Sequence, residues 1–262
     1  MAHPTSRTSA GTTRSGAVLT LLPHRDLWPF LPPRRRRPQV EVPWDGTASL
    51  GHVVQAAGIP LTEVGELVYG GAAAQPTRQP RAGGDVKIGP VPRPQQVPGA
   101  AGFLLDVGLG TLARRLRILG LDAAYRNDAD DDALLEAAND QHRVLLTQDR
   151  GLLMRRALWA GAHVRGNRPD DQLADVLARF APRLAPWTRC TACNGELAWV
   201  PKGEIADQLQ SGTRRRYRDF AQCRACRRVY WHGAHSRRLD RIVAEALSLT
   251  CSQQTLDRRL PY

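Results

Sequence analysis

Residues 103–120 read FLLDVGLGTLARRLRILG, and this stretch decides the fold. Phe103, Leu104 and Leu105 form a short unbroken apolar run, the mark of a strand buried on both faces of a parallel sheet. Gly108 and Gly110 permit a sharp turn. From Leu112 the spacing becomes helical, with Leu112, Ala113, Leu116 and Leu119 on one stripe and Arg114 and Arg117 opposite, until Gly120 ends the helix. Asp106 therefore stands directly beyond the carboxyl end of a strand, where open α/β sheets bind their ligands.

Downstream, strand and helix alternate, the sign of βαβ units. Residues 123–125 and 144–147 read as the second and third strands and residues 163–165 as a fourth. A helix over residues 133–139 turns Leu134, Leu135 and Ala138 inward, another runs through Leu152, Leu153 and Ala157, and Asp171 opens a last one carrying Leu173, Val176, Leu177 and Phe180. Upstream, residues 90–101 (PVPRPQQVPGAA) are a linker by composition. Before it, residues 17–22 and 39–44 pair as a hairpin around a loop bearing Arg34, Arg35, Arg36 and Arg37. Ser49 caps a helix that ends at Gly58, and residues 64–69 and 86–88 add two more strands. Strand, strand, helix, strand, strand is the order of a ubiquitin-like β-grasp domain. The expected division is a tail over 1–15, a β-grasp domain over 16–89, the linker, an α/β domain over 102–183, a cysteine-bearing module over 184–240 and a tail over 241–262.

The formal net charge is +12 in 262 residues, which favours a polyanion as partner, nucleic acid before membrane. No apolar run approaches the roughly 20 residues that span a bilayer. The first residues, MAHPTSRTSAGTTRSG, lack the apolar core of a secretory signal, so a cytoplasmic location is expected.

Acidic residues recur where strands end or helices begin: Asp106, the run Asp130, Asp131 and Asp132, Asp149 in VLLTQDRGLL, and Asp170 or Asp171. Carboxylates converging from separate parts of a fold suit Mg²⁺ or Mn²⁺, which take oxygen ligands and support in-line phosphoryl displacement. Asp131 or Asp132, and Asp170, also have a structural reading as helix caps, and Asp149 as a turn residue before Gly151. Asp106 lacks such a task. A Walker A loop, a full dinucleotide fingerprint and a GxSxG elbow are all absent from the sequence.

Cys190, Cys193, Cys223 and Cys226 form CTAC and CRAC knuckles separated by 29 residues. Two such knuckles complete a Cys₄ zinc site, closed and therefore structural. Between them Arg214, Arg215 and Arg216, with Tyr217 and Arg218, suit phosphates and stacked bases. After them VYWHGAH offers Tyr230, Trp231, His232 and His235, of which Trp231 can stack on RNA or pack the small module. Cys251 reads as an ordinary thiol.

Taken together, DVGLGTLARRLRILGLD, NDADDDALLEAA, RVLLTQDRGLL, the cysteine pairs and VYWHGAH resemble the Mut-seven C-terminal RNase family. These are PIN-like nucleases with an appended zinc ribbon, and the β-grasp segment resembles the ubiquitin-like domain often fused to them. The resemblance implies a PIN-like parallel sheet flanked by helices and a metal-dependent RNA endonuclease. It carries the catalytic, Mg- or Mn-binding roles onto Asp106, Asp131 and Asp149, with Asp130 an alternative. Arg114, Arg117, Arg214, Arg215, Arg216 and Trp231 are the expected RNA contacts. Gly108 stands where the family often has methionine and Arg115 where it often has tryptophan, which makes the helix surface more basic. The rival expectation is a non-catalytic RNA- or ribosome-binding platform.

Overall fold

A computed structural model describes residues 17–231 and 240–248. Contacts divide the chain into two compact units, Met1–Pro90 and Val91–Tyr262. The expected N-terminal tail, His232, His235 and Cys251 lie outside the described residues.

In the first unit, strands β1 (Val18–Pro23) and β2 (Val40–Pro43) pair antiparallel, as the hairpin reading requires. Helix α1 (Leu50–Ala57) follows, its first turn capped by the Ser49 hydroxyl accepting from His52 N–H. Strands β3 (Val64–Tyr69), β4 (Ala72–Ala73) and β5 (Asp85–Pro90) complete a mixed sheet of order β2-β1-β5-β3-β4, with β1 and β5 parallel. Residues alternating along β1 and β5 send Leu19, Leu21, Val86 and Ile88 onto Leu50, Val53 and Val54 of α1. This is a ubiquitin-like arrangement. The two-residue β4 carries no periodicity that sequence could reveal.

The second unit is built on four parallel strands, β6 (Gly102–Leu105), β7 (Ala123–Tyr125), β8 (Arg143–Thr147) and β9 (Gly161–His163), in the order β7-β6-β8-β9. Helices α2 (Gly110–Ile118), α3 (Asp131–Asp140), α4 (Arg150–Leu153) and α5 (Pro169–Phe180) cover both faces. The middle residues of the two central strands are apolar for that reason. Phe103, Leu105, Val144 and Leu146 face α2 and α5, while Leu104 and Leu145 face α3 and α4. The strand order reverses between β6 and β8, so the crevice at their carboxyl ends is the topological switch point.

An antiparallel sheet of β10 (Leu197–Trp199), β11 (Phe220–Cys223) and β12 (Val229–Trp231) follows, with a small core of Val200, Ile205, Leu209 and Phe220. Helix α6 (Ser211–Arg216) lies in its long connection. The final tail expected from residue 241 is a tail only in part. Residues 240–248 are helical, and Ile242 and Ala246, one turn apart on a single stripe, are buried in the same core as Leu112 and Leu116.

Gly120 marks how closely the chain returns on α2. Its φ is +82°, and a Cβ there would lie 1.8 Å from the Ala185 carbonyl oxygen. Only glycine fits.

Candidate active site

Four of the sequence-derived acids fall beyond the carboxyl ends of successive strands: Asp131 after β7, Asp106 after β6, Asp149 after β8 and Asp170 after β9. The closest linkage joins Asp106 and Asp149 across the switch point, through a residue that sequence reasoning passed over. Thr147, the last residue of β8, is completely buried. Its hydroxyl donates to Asp106 Oδ2 at 2.5 Å and accepts the Asp149 backbone N–H at 2.8 Å. One buried hydroxyl thus holds both acidic segments in register, because a buried O–H must find partners in both directions. A threonine closing an apolar strand two residues before an aspartate was the signal available.

Asp149 also caps α4, its Oδ1 accepting from Gly151 N–H at 2.6 Å. Among the described residues this leaves Oδ1 of the half-buried Asp106 and Oδ2 of the exposed Asp149 without a hydrogen bond. Tyr125, opposite Leu105 in the sheet, ends β7 on the same edge. Its ring covers Gly110 so tightly that a Cβ there would come within 2.9 Å of it.

The other acids are spent differently. Asp130, not Asp131 or Asp132, caps α3, accepting from Ala133 N–H at 2.8 Å. Asp132 is paired with Arg155 at 2.5 Å. Asp170 is taken by the buried guanidinium of Arg115, so that residue adds no positive charge to the helix surface. Asp131 is exposed at the start of α3. Asp106, Asp131 and Asp149 do not form an inner-shell cage. Among the described residues, the four cysteines are the group whose possible metal-ligating atoms close to within 4.8 Å of one another.

In that cluster Cys190 and Cys226 sulfurs are 3.6 Å apart and Cys193 and Cys223 sulfurs 3.4 Å apart. Each knuckle turns on a left-handed residue directly after its second cysteine, Asn194 at φ +70° and Arg227 at φ +62°. Gly195 lies against the sulfurs, where a Cβ would stand 2.9 Å from Cys223 Sγ. Burial pushes the Cys190 thiol up, but the Tyr230 hydroxyl and the Cys193 and Ala192 amides outweigh it and bring it down to about 6. Cys193 is pushed up to about 12, by burial and then by the sulfurs of Cys226, Cys223 and Cys190 against the Gly195 amide. Four sulfurs this close cannot all ionise unless a cation neutralises them. A set of four sulfurs fits a closed tetrahedral metal site.

The first knuckle is bound into the parallel sheet. Asn194 accepts Ala123 N–H at 3.1 Å and donates to Asp122 at 2.7 Å. Asp122 also receives Arg143 at 2.6 Å and Arg189 at 3.1 Å. Burial opposes the charge on Asp122, but hydrogen bonds from Arg143 and Asn194 and the charges of Arg143 and Arg189 hold its carboxyl below the ordinary value. Arg117 completes the joint and is a correction to the sequence reading. It is 4 % exposed, and its guanidinium donates to the carbonyls of Ala123 at 2.8 Å, Thr191 at 3.1 Å and Ala192 at 3.0 Å. Helical spacing set it opposite the apolar stripe, but the cysteine knuckle folds back over that side, so it is unavailable to RNA. Arg114 on the same helix is exposed, as are Arg214, Arg215 and Arg216 in α6. Trp231 is 41 % exposed, with its ring 6.4 Å from Tyr217 and 6.3 Å from Phe220.

The family model described as Mut7-C RNAse domain matches residues 101–243, more than half of the chain. The chain belongs to the Mut7-C RNAse family. A second model, Mut7-C ubiquitin, matches residues 17–96, which accounts for the mixed sheet of the first unit. No curated protein and no solved structure matches the chain. The Mut7-C match spans the parallel sheet, the Thr147 bridge and the cysteine knuckles. Those elements therefore belong to a single RNase domain, and RNA is the substrate class that the family suggests.

Proposed function

We propose that this Mut7-C protein is a metal-dependent RNA endonuclease whose phosphodiester hydrolysis occurs at the carboxyl ends of β6 and β8. The observation that carries the reading is the Thr147 hydroxyl joined to both Asp106 and Asp149. Two carboxylates with free oxygens at a switch point suit a hard divalent cation, and Mg²⁺ keeps several waters and needs only one or two protein carboxylates. When bound, such an ion supplies an activated water and charge neutralisation at the scissile phosphate. The protein's own residues have separate tasks. Asp106 and Asp149 would supply oxygen ligands to the ion, Asp131 would add negative charge at the same sheet edge, and Thr147 keeps the first two aimed by holding Asp106 Oδ2 and the Asp149 N–H. Arg114 and the Arg214, Arg215 and Arg216 group engage phosphates, and Trp231 stacks a base. The four cysteines hold zinc, with a structural role. Arg117 belongs to the zinc joint and is no longer part of the RNA surface.

The spending of Asp130 on a cap and Asp132 on an ion pair favours one competing reading, a non-catalytic RNA- or ribosome-binding protein. The Asp149→Asn variant separates the two, since its amide oxygen still accepts the Gly151 N–H while the anionic ligand is gone. Expected is loss of Mg²⁺- or Mn²⁺-dependent cleavage of a labelled RNA by a factor of about 100 or more, with unchanged melting and zinc content. Cleavage at the wild-type rate removes Asp149 from the site, and RNA binding by a wild-type protein that cleaves with neither metal establishes the platform instead.

A further inference from the structure

Unit one carries a groove that no role above uses. It has a volume of about 720 Å³ and is lined by Tyr69, Arg78, Arg81, Gly84, Asp85 and Lys87, among others. We infer that this groove binds the phosphodiester backbone of single-stranded RNA, an inference that rests on the RNase reading of the second unit.

Three features carry it. First, three cations meet one acid. Arg78, Arg81 and Lys87 are exposed, and among the described residues none of their side chains has an ion pair. Second, the key arginine is held ready rather than loose. The Arg78 carbonyl accepts Leu50 N–H and the Pro76 carbonyl accepts Gly51 N–H, both at 2.8 Å, so the loop is pinned to the start of α1. The Arg78 guanidinium lies over the Tyr69 ring, 5.0 Å from its centroid, an orientation that leaves planar N–H edges for a phosphate. The ring is itself fixed, its hydroxyl accepting Arg81 N–H at 2.7 Å and its edge covering Gly84, where a Cβ would approach to 2.6 Å. Third, the register of the sheet sends Lys87 outward beside Val68 and Leu22, away from the core, so the third cation reaches the groove from its floor. Gly70, Gly71 and Gly84 keep the walls low.

The shape and chemistry fit a strand of regularly spaced negative charge. An acidic peptide would need an apolar anchor pocket for affinity, and the lining supplies only Leu22 and Val68 as aliphatic side chains. The Arg34, Arg35, Arg36 and Arg37 run is unlike this groove, since Arg36 is turned onto the Leu31 carbonyl at 3.1 Å.

The test uses the full-length zinc-loaded chain and a fluorescent 2′-O-methyl oligonucleotide of about 12 residues, which resists cleavage, with affinity measured across salt concentration. Neutralising three phosphate contacts by Arg78→Ala, Arg81→Ala and Lys87→Ala together should lower the slope of log K against log salt by about 2 and weaken binding about tenfold or more. Arg34→Ala, Arg35→Ala and Arg37→Ala together serve as the equal-charge control and should leave the slope nearly intact. An equal fall in both triple variants overturns the site in favour of diffuse charge. Complete displacement of the oligonucleotide by AMP at equal phosphate concentration overturns the strand in favour of a mononucleotide. Unchanged affinity and slope in the groove variant overturn this inference alone, whereas a wild-type protein that binds no RNA overturns it together with the RNase reading.

Discussion

Thr147 and Asp106 come from strands separated by two crossovers, yet the hydroxyl of one lies 2.5 Å from the carboxylate of the other. The contact exists because β6 and β8 are neighbours in the sheet, with Leu105 opposite Leu146, so that the next residues of both strands emerge together at the switch point. Thr147→Val keeps the shape and deletes the hydroxyl. It leaves Asp106 Oδ2 and the Asp149 N–H without their partner, at a cost of about 1–3 kcal/mol. Cleavage should fall by roughly 10–100-fold, the usual effect of removing a group that orients a metal-binding carboxylate. Thr147→Ser should restore both stability and rate. A valine variant that cleaves like the wild type would detach the bridge from function.

The cysteine module should not melt as a separate domain. Asn194 and Arg117 join the first knuckle to Ala123 of β7, so a metal closing the knuckle would also secure an edge of the parallel sheet. Removing zinc with a strong chelator is expected to lower the melting temperature of the whole second unit in one transition. Asn194→Ala should retain stoichiometric zinc, because all four thiolates remain, yet cost about 1–2 kcal/mol through the unpaired Ala123 N–H and Asp122 oxygen. Chelated protein whose parallel sheet melts at the original temperature would disprove this coupling.

Asp122 makes the same joint sensitive to acid. Its carboxyl titrates below the ordinary value of 3.8, so its stabilisation is present in full above the unfolded value and is lost as pH falls through the lowered one. Asp122→Asn should therefore be less stable than wild type at pH 7, and the gap should close only below about pH 4. Parallel stability curves for the two proteins from pH 7 to pH 3 would rule out this role.

Of the site, the part legible in sequence was its local part. An acid directly after FLL, another two residues after a closing threonine and two CxxC turns all express their position within a few residues. Asp130 as the cap of α3 was a local matter too, missed by one residue because three aspartates in a row offer the same side chain to the same amides. The Thr147 bridge, the Asp122 hub and the burial of Arg117 were not legible, since each depends on at least one partner between 21 and 75 residues away.

Sequence alone was enough to determine that this chain has a β-grasp unit, a parallel α/β unit and a four-cysteine cluster, because apolar periodicity, glycine turns and ligand spacing act over one or two turns of backbone. Only the tertiary structure decided which charges are free. Burial and hydrogen bonding across the sheet edge turned Arg117 and Arg115 inward, committed Asp130, Asp132 and Asp170 to structural partners, and left Asp106 and Asp149 joined by one hydroxyl with an oxygen each to offer.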